Sequence, residues 1–159
     1  AYTRDEEKQI LDLYAGLDPQ RLVPQNLLKK AVLYFHRNQQ LIANHEYLSI
    51  IDFSKSSKYR RFYLVHMSTG EVTRVHVAHG KNSDRDNDGI PERFSNRPGS
   101  EQSSLGFYLT WETYYGRNGY SLRMDGLSST NSNARERAVV IHGADYVKDQ
   151  NVKQGRSLG

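Results

Sequence analysis

The apolar positions of the chain change period near residue 45. Before that point Ile10, Leu11, Tyr14 and Leu17 recur at helical spacing, and Leu27, Leu28, Ala31, Val32 and Phe35 form a second stripe of the same kind. Asp5, Glu6 and Glu7 place negative charge where a helix N-terminus stabilises it. Gly16 and the Asp18–Pro19 pair end the first helix, and Pro24 suits the first turn of the second. Both stripes read as packing surfaces.

From Tyr47 the texture is that of strands. Tyr47–Phe53 is short and rich in β-branched residues, and Phe62–Met67 and Val72–Val77 flank the turn Ser68–Thr69–Gly70–Glu71, a hairpin signature. Gly106–Trp111, Tyr120–Met124 and Ala138–Ile141 are further strand candidates. Between Gly80 and Ser104 lies a long polar stretch with Asp84, Asp86, Asp88, Pro91 and Pro98, and a loop of that length in a small domain is functional or mobile. Strands and helices do not alternate, which argues against a parallel nucleotide-binding sheet. The pattern is mainly β (α+β), with helices in front.

Composition narrows the class. The chain has 159 residues, 36% apolar and 11% aromatic, with a net charge of +4. The apolar fraction is low for a globular domain, but the aromatic content and small net charge argue against disorder. A modest core with a wet, tyrosine-rich surface is expected. The 22 Lys and Arg are scattered, and the densest run, Lys55–Arg61, is short, so nucleic acid is not the expected partner. No apolar run is long enough for a membrane span. The start Ala1–Tyr2–Thr3 lacks the pattern of a signal peptide and would fit a mature protein trimmed behind a small residue. There is no cysteine, which excludes a disulfide framework, a zinc ribbon and a cysteine nucleophile within these residues.

Among the histidines, His76 and His79 have an H-x-x-H spacing that points to opposite faces of an extended segment, so a metal site there would need ligands from elsewhere. His142 stands in a different context. It ends the apolar run Val139–Val140–Ile141 and precedes Gly143, as suits an imidazole delivered to a strand end as a general base, with glycine allowing close backbone approach. A satisfied core histidine would look the same. Asp145 follows, and then Gly155–Arg156–Ser157–Leu158–Gly159.

That arrangement resembles the L,D-transpeptidases of the YkuD type, in the murein branch with a long loop before the catalytic strands. The family pattern is H, fourteen residues, S/T, any residue, G, then the nucleophilic Cys. His142 and Ser157 are separated by 14 residues, and Ser157–Leu158–Gly159 supplies the S-x-G. Residues 44–54, 77–83, 94–96, 102–108 and 134–146 look like the same branch. Leu158 stands where the wider family often has histidine. The resemblance implies a YkuD-like β-sandwich or barrel-like catalytic domain over 44–159, behind an N-terminal helical extension over 1–43. It implies a periplasmic or exported protein acting on peptidoglycan stem peptides, with no cofactor required.

The same resemblance assigns roles. His142 is the base, Gly143 follows it, and backbone N–H groups around Ser157 and Gly159 bind the oxyanion. Ser157 would hydrogen-bond the substrate, orient the imidazole, or only cap the turn. The cysteine falls one position past Gly159, so the chain is expected to be truncated before its nucleophile and inactive as it stands. Arg123, then Arg156, would meet substrate carboxylates, although either would also serve as a plain surface arginine. Tyr114, Tyr115 and Tyr120 flank Gly116 and Gly119, either as an aromatic lid with Tyr120 on the substrate or as an ordinary strand connection. An L,D-carboxypeptidase of the same fold and a non-catalytic, calcium-stabilised cell-wall-binding module are the alternatives.

Asp84, Asp86 and Asp88 followed by Gly89 match the first half of an EF-hand-type Ca²⁺ loop, with the Ile90 carbonyl and Glu92 as further ligands. Ser95 stands where the bidentate Glu would be, and an acidic solvated loop is the other reading. A bound calcium would be structural, tying down the long loop.

Overall fold

The computed structural model describes residues 1–148. Two helices, α1 (Arg4–Leu13) and α2 (Gln25–Arg37), precede two three-stranded antiparallel sheets. The first sheet has the order β1 (Tyr47–Ile51), β2 (Phe62–His66), β3 (Val72–Val75). The second has the order β4 (Tyr108–Gly116), β5 (Gly119–Gly126), β6 (Val140–His142). The fold is α+β with an N-terminal helical segment. Among the described residues no helix is long and apolar enough to cross a membrane.

Packing divides the chain into two compact units, Ala1–Asp52 with Arg60–Val75, and Phe53–Tyr59 with the chain from His76 onward. In the first unit, Thr3 caps α1 through a capping box: its Oγ1 accepts from Glu6 N at 3.2 Å, and its N donates to Glu6 Oε2 at 2.7 Å. Pro24 sits just outside α2, as its N-cap. Val23, Ile50, Tyr63 and Val65 form the core, covered by Leu27, Leu28 and Ala31 of α2. Each such buried side chain contributes about 1.5–3 kcal/mol.

The β2–β3 turn shows why the sequence needs glycine at its tip. Gly70 has φ +79°, and a Cβ there would stand 2.1 Å from Gly16 O. Its own carbonyl accepts from Asp18 N at 2.8 Å. Asp18 then spends both carboxylate oxygens on Leu22 N and Val23 N, each at 2.8 Å, fixing the break between the helices. β3 ends at Val75, two residues before the run Val72–Val77 does.

The second unit carries the long loop, which forms no strand or helix between Gly80 and Ser104. Its polar backbone is satisfied largely by side chains, as buried amides and carbonyls must be. Ser83 O accepts from Glu92 N and Arg93 N, both at 2.9 Å, and Ser83 Oγ accepts from Ser103 N at 2.9 Å. Asn133 donates two bonds to Asn96, from its N to Asn96 Oδ1 at 2.9 Å and from its Nδ2 to Asn96 O at 3.1 Å. The Arg137 guanidinium reaches Ser95 O at 2.6 Å, Gln102 O at 2.5 Å and Ser100 Oγ at 3.1 Å. One fork therefore holds both ends of the 95–102 segment.

Arg137→Met leaves those acceptors without their donor, and the expected loss of stability is about 2–4 kcal/mol. Denaturant melts and amide exchange over residues 95–104 check this; Arg137→Lys should recover only part, because an ammonium lacks the planar fork.

Candidate active site

The strand run Ala138–Ile141 starts later than its apolar character implies. Ala138 adopts φ +54°, and Val139 N bonds back to Ala134 O at 2.9 Å, so β6 covers only Val140–His142. His142 is the last residue of that strand and is half-buried. Its Nδ1 lies 2.9 Å from Gly143 O. A carbonyl only accepts, so Nδ1 carries a hydrogen in that bond, which leaves Nε2 turned away from it. An added Cβ at Gly143 would meet nothing among the described residues, so close approach does not demand glycine there.

Strand register places the neighbours. Ser121 pairs with both Tyr114 and His142, and Arg123 pairs with Val140. Directly paired residues share a face, as do residues two apart on one strand. Tyr114, buried Ser121, Arg123 and His142 therefore occupy one face, with Arg123 diagonal to the imidazole, where Cβ atoms stand about 7–8 Å apart. The Arg123 guanidinium lies 4.1 Å over the Tyr114 ring, and its Nε pairs with Glu112 Oε1 at 3.1 Å. Only one of its five N–H donors is thereby assigned, and the side chain is 41% exposed, so the outer edge can meet an anion.

Glu112 also accepts from Arg135 Nη1 at 3.1 Å, and Arg135 Nε donates to Asp125. The result is a chain of alternating charge, Arg123–Glu112–Arg135–Asp125, beside His142. Hydrogen bonding to Arg135 holds the Glu112 carboxyl below its ordinary value of 4.5, and both carboxylates hold the Arg135 guanidinium above its own. Glu112, Arg135 and Asp125 carried no signal in the sequence. Their partners are 23 and 10 residues apart and no motif links them. Asp145 turns instead to Lys148, at 2.5 Å.

Tyr114 and Tyr115 belong to β4 and Tyr120 to β5, which a Gly116–Gly119 pair closes into a hairpin. The three tyrosines thus lie on the two strands of that hairpin. Of the remaining predicted site residues, Arg156, Ser157 and Gly159 lie outside the described residues.

In the long loop, carboxylate oxygens of Asp84, Asp86 and Asp88 lie within 4.8 Å of one another. Asp84 is buried; its Oδ2 accepts from Gly89 N at 2.8 Å and stands 3.6 Å from Nε2 of the fully buried His79. His79, read in the sequence only as half of a weak spacing, is thus the residue beside the loop's anchor. Ile90 N donates to Asp88 Oδ1 at 2.7 Å, and Glu92 Oε1 accepts from Arg85 N at 2.7 Å. Glu92 is engaged within the loop rather than gathered with the three aspartates.

Compared with known proteins, residues 20–159 match the family described as the L,D-transpeptidase catalytic domain, of the YkuD type. No curated protein and no solved structure matches the chain.

Because its carboxyl is depressed, Glu112 contributes stability that is present above pH 4.5 and is lost as pH falls through its lowered folded value. Carboxyl carbon NMR should find Glu112 titrating below 4.5, and Arg135→Gln should move the midpoint upward. A midpoint unmoved by Arg135→Gln contradicts the pairing.

Proposed function

The chain belongs to the L,D-transpeptidase catalytic-domain family, and on that premise we propose that it exchanges the terminal residue of peptidoglycan tetrapeptide stems with His142 as general base. The observation that carries the reading is His142 itself, at a strand end with its Nδ1 hydrogen committed to Gly143 O. Nε2 takes the proton of a cysteine thiol, and the thiolate attacks the carbonyl carbon of the bond between the L- and D-centres. As the C–S bond forms and the C–N bond breaks, the proton passes to the departing amine of the D-residue. The acceptor amine then loses its proton to Nε2 and displaces the sulfur. Water in its place makes the same enzyme an L,D-carboxypeptidase.

In the family pattern the thiol follows an S-x-G such as Ser157–Leu158–Gly159, and none of the 159 residues is itself cysteine. Amides around Ser157 and Gly159 serve the oxyanion. Arg123, on the imidazole's own face, takes a stem carboxylate, with Arg156 and Tyr120 as further contacts. Such stems lie in the cell wall, so the protein works in the periplasm or outside the cell.

The acidic loop takes Ca²⁺. Three carboxylate oxygens within 4.8 Å suit a hard cation that relieves their repulsion. Asp84, Asp86 and Asp88 hold it and the Ile90 carbonyl completes the set, while Glu92 must first release Arg85 N. The ion is structural and the thiol chemistry does not involve it.

Two measurements test these readings. On tetrapeptide with a D-amino acid acceptor, the parent polypeptide should give exchanged product by mass spectrometry, and His142→Ala should lower the rate about 10²–10⁴-fold. D-residue release without exchange would assign the carboxypeptidase, and a residue other than cysteine after Gly159 would favour the binding module. For the loop, saturating Ca²⁺ at about 100 times Kd should stabilise by about 2.7 kcal/mol, and the Asp84→Asn/Asp86→Asn variant should lose the effect. An unchanged melting temperature would remove the metal.

A further inference from the structure

An arginine side chain on a surface is spread over many rotamers, and ordering it on binding costs entropy. Arg123 is ordered in advance. Its guanidinium lies 4.1 Å over the Tyr114 ring, and its Nε pairs with Glu112 Oε1 at 3.1 Å. The ring holds the group from one side, and the carboxylate turns the Nε edge toward itself. The Nη end is left over, and that end of the planar group meets a carboxylate through two parallel bonds.

Glu112 is itself held from behind. Arg135 donates to Oε1 from Nη1 at 3.1 Å and to Oε2 from Nη2 at 3.4 Å, and Asp125 accepts from Arg135 Nε. Two guanidinium groups and two carboxylates cancel in charge, so the four together add no net attraction for an anion. Exposed ion pairs also contribute little to stability. What the arrangement supplies is a fixed place for Arg123, on the face that carries His142. Arg123 and Arg135 both line a notch against Ala138, Val139 and Val140, the chain that enters β6. Val140 stands two residues before His142 on that strand, so the notch opens beside the base.

We propose that Glu112 is a positioning residue, which presents the Nη end of Arg123 to a carboxylate of the stem peptide. It rests on the peptide reading above, which gives Arg123 that carboxylate, and adds the group that aims it. Charge and position make opposite demands on Glu112. As a counter-ion it competes with the substrate for Arg123, and its removal would tighten the binding of an anion. As a positioning group it supplies an acceptor to Nε. Its removal then weakens binding, and an uncharged acceptor in its place preserves it.

Calorimetric titration at low salt separates the two. The chain is titrated with stem tetrapeptide and with the same peptide amidated at every carboxyl, and the ratio of the Kd values measures recognition of the carboxylate. Arg123→Met should remove most of the preference for the free acid. Glu112→Ala should shrink that preference about three- to tenfold, as expected for one long side chain that must now be ordered on binding. Glu112→Gln, whose amide oxygen still accepts from Nε, should hold it within about twofold. Proton NMR of the Arg123 Nε–H gives a second readout, with the signal retained in Glu112→Gln and lost to solvent exchange in Glu112→Ala. Circular dichroism and a melting curve establish that the alanine variant is folded. Should it unfold, Glu112→Gln decides: a loss as large as that of Arg123→Met overturns the proposal, and retention supports it.

A preference that Glu112→Ala leaves unchanged or strengthens, while Arg123→Met removes it, overturns the role of Glu112 and leaves Arg123 as the carboxylate's partner. Equal losses in Glu112→Ala and Glu112→Gln overturn it as well, because the charge and not the acceptor then matters. A preference that Arg123→Met does not alter removes the Arg123 contact from the peptide reading, and the role of Glu112 with it.

Discussion

A polypeptide segment with no ladder partner must satisfy its amides and carbonyls by other means, and in the second unit that constraint falls on the residues from Gly80 to Ser104. Arg137 answers part of it, at the two ends of the 95–102 segment. Its planar fork takes two carbonyls and a hydroxyl from three residues that have no secondary structure to align them. The two bonds that Asn133 donates to Asn96 extend the seam. Both Asn133 and Arg137 sit in the turn-rich stretch that leads into β6. The polar contacts that fix the long loop therefore also fix the approach of the chain to His142.

The face around His142 is electrically balanced rather than simply cationic. Arg123 stacks over the Tyr114 ring and pairs with Glu112, which pairs in turn with Arg135. Such a chain of alternating charge holds its members in place at little energetic gain, since exposed pairs contribute about 0–1 kcal/mol each. Its worth lies in orientation. The Arg123 guanidinium is restrained on two sides, with less side-chain freedom left to lose in any further contact.

Local patterns in the sequence were legible where period and punctuation agreed. The second helical stripe, the Gly70 turn and β2 stand where alternation and glycine indicate, and His142 is at the end of an apolar run as its neighbours imply, whereas α1 closes at Leu13, before Gly16, with Tyr14 as its C-cap and Leu17 beyond it. β4 was underestimated: Thr110, Trp111, Glu112 and Thr113 break the alternation, because a register shift there carries both faces into solvent. β6 was overestimated because nothing in the letters of Ala138 announces a left-handed backbone. The charge network could not be read at all, since antiparallel pairing and a long turn assemble it from positions ten or more residues apart. The pattern that named the family runs through Ser157 and Gly159, beyond the described residues, so the sequence speaks there and the geometry is silent.

The shift in register between Thr110 and Thr113 has a consequence for the chain's behaviour in concentrated solution. A nine-residue outer strand bearing tryptophan and tyrosine would ordinarily recruit a neighbouring molecule's backbone and seed fibres. Irregular spacing of its outward amides denies an incoming strand a continuous match, and Glu112, at that same irregularity, adds charge where the two would meet. The aromatic side chains of this edge can therefore stay exposed while the protein remains poor at sticking to itself.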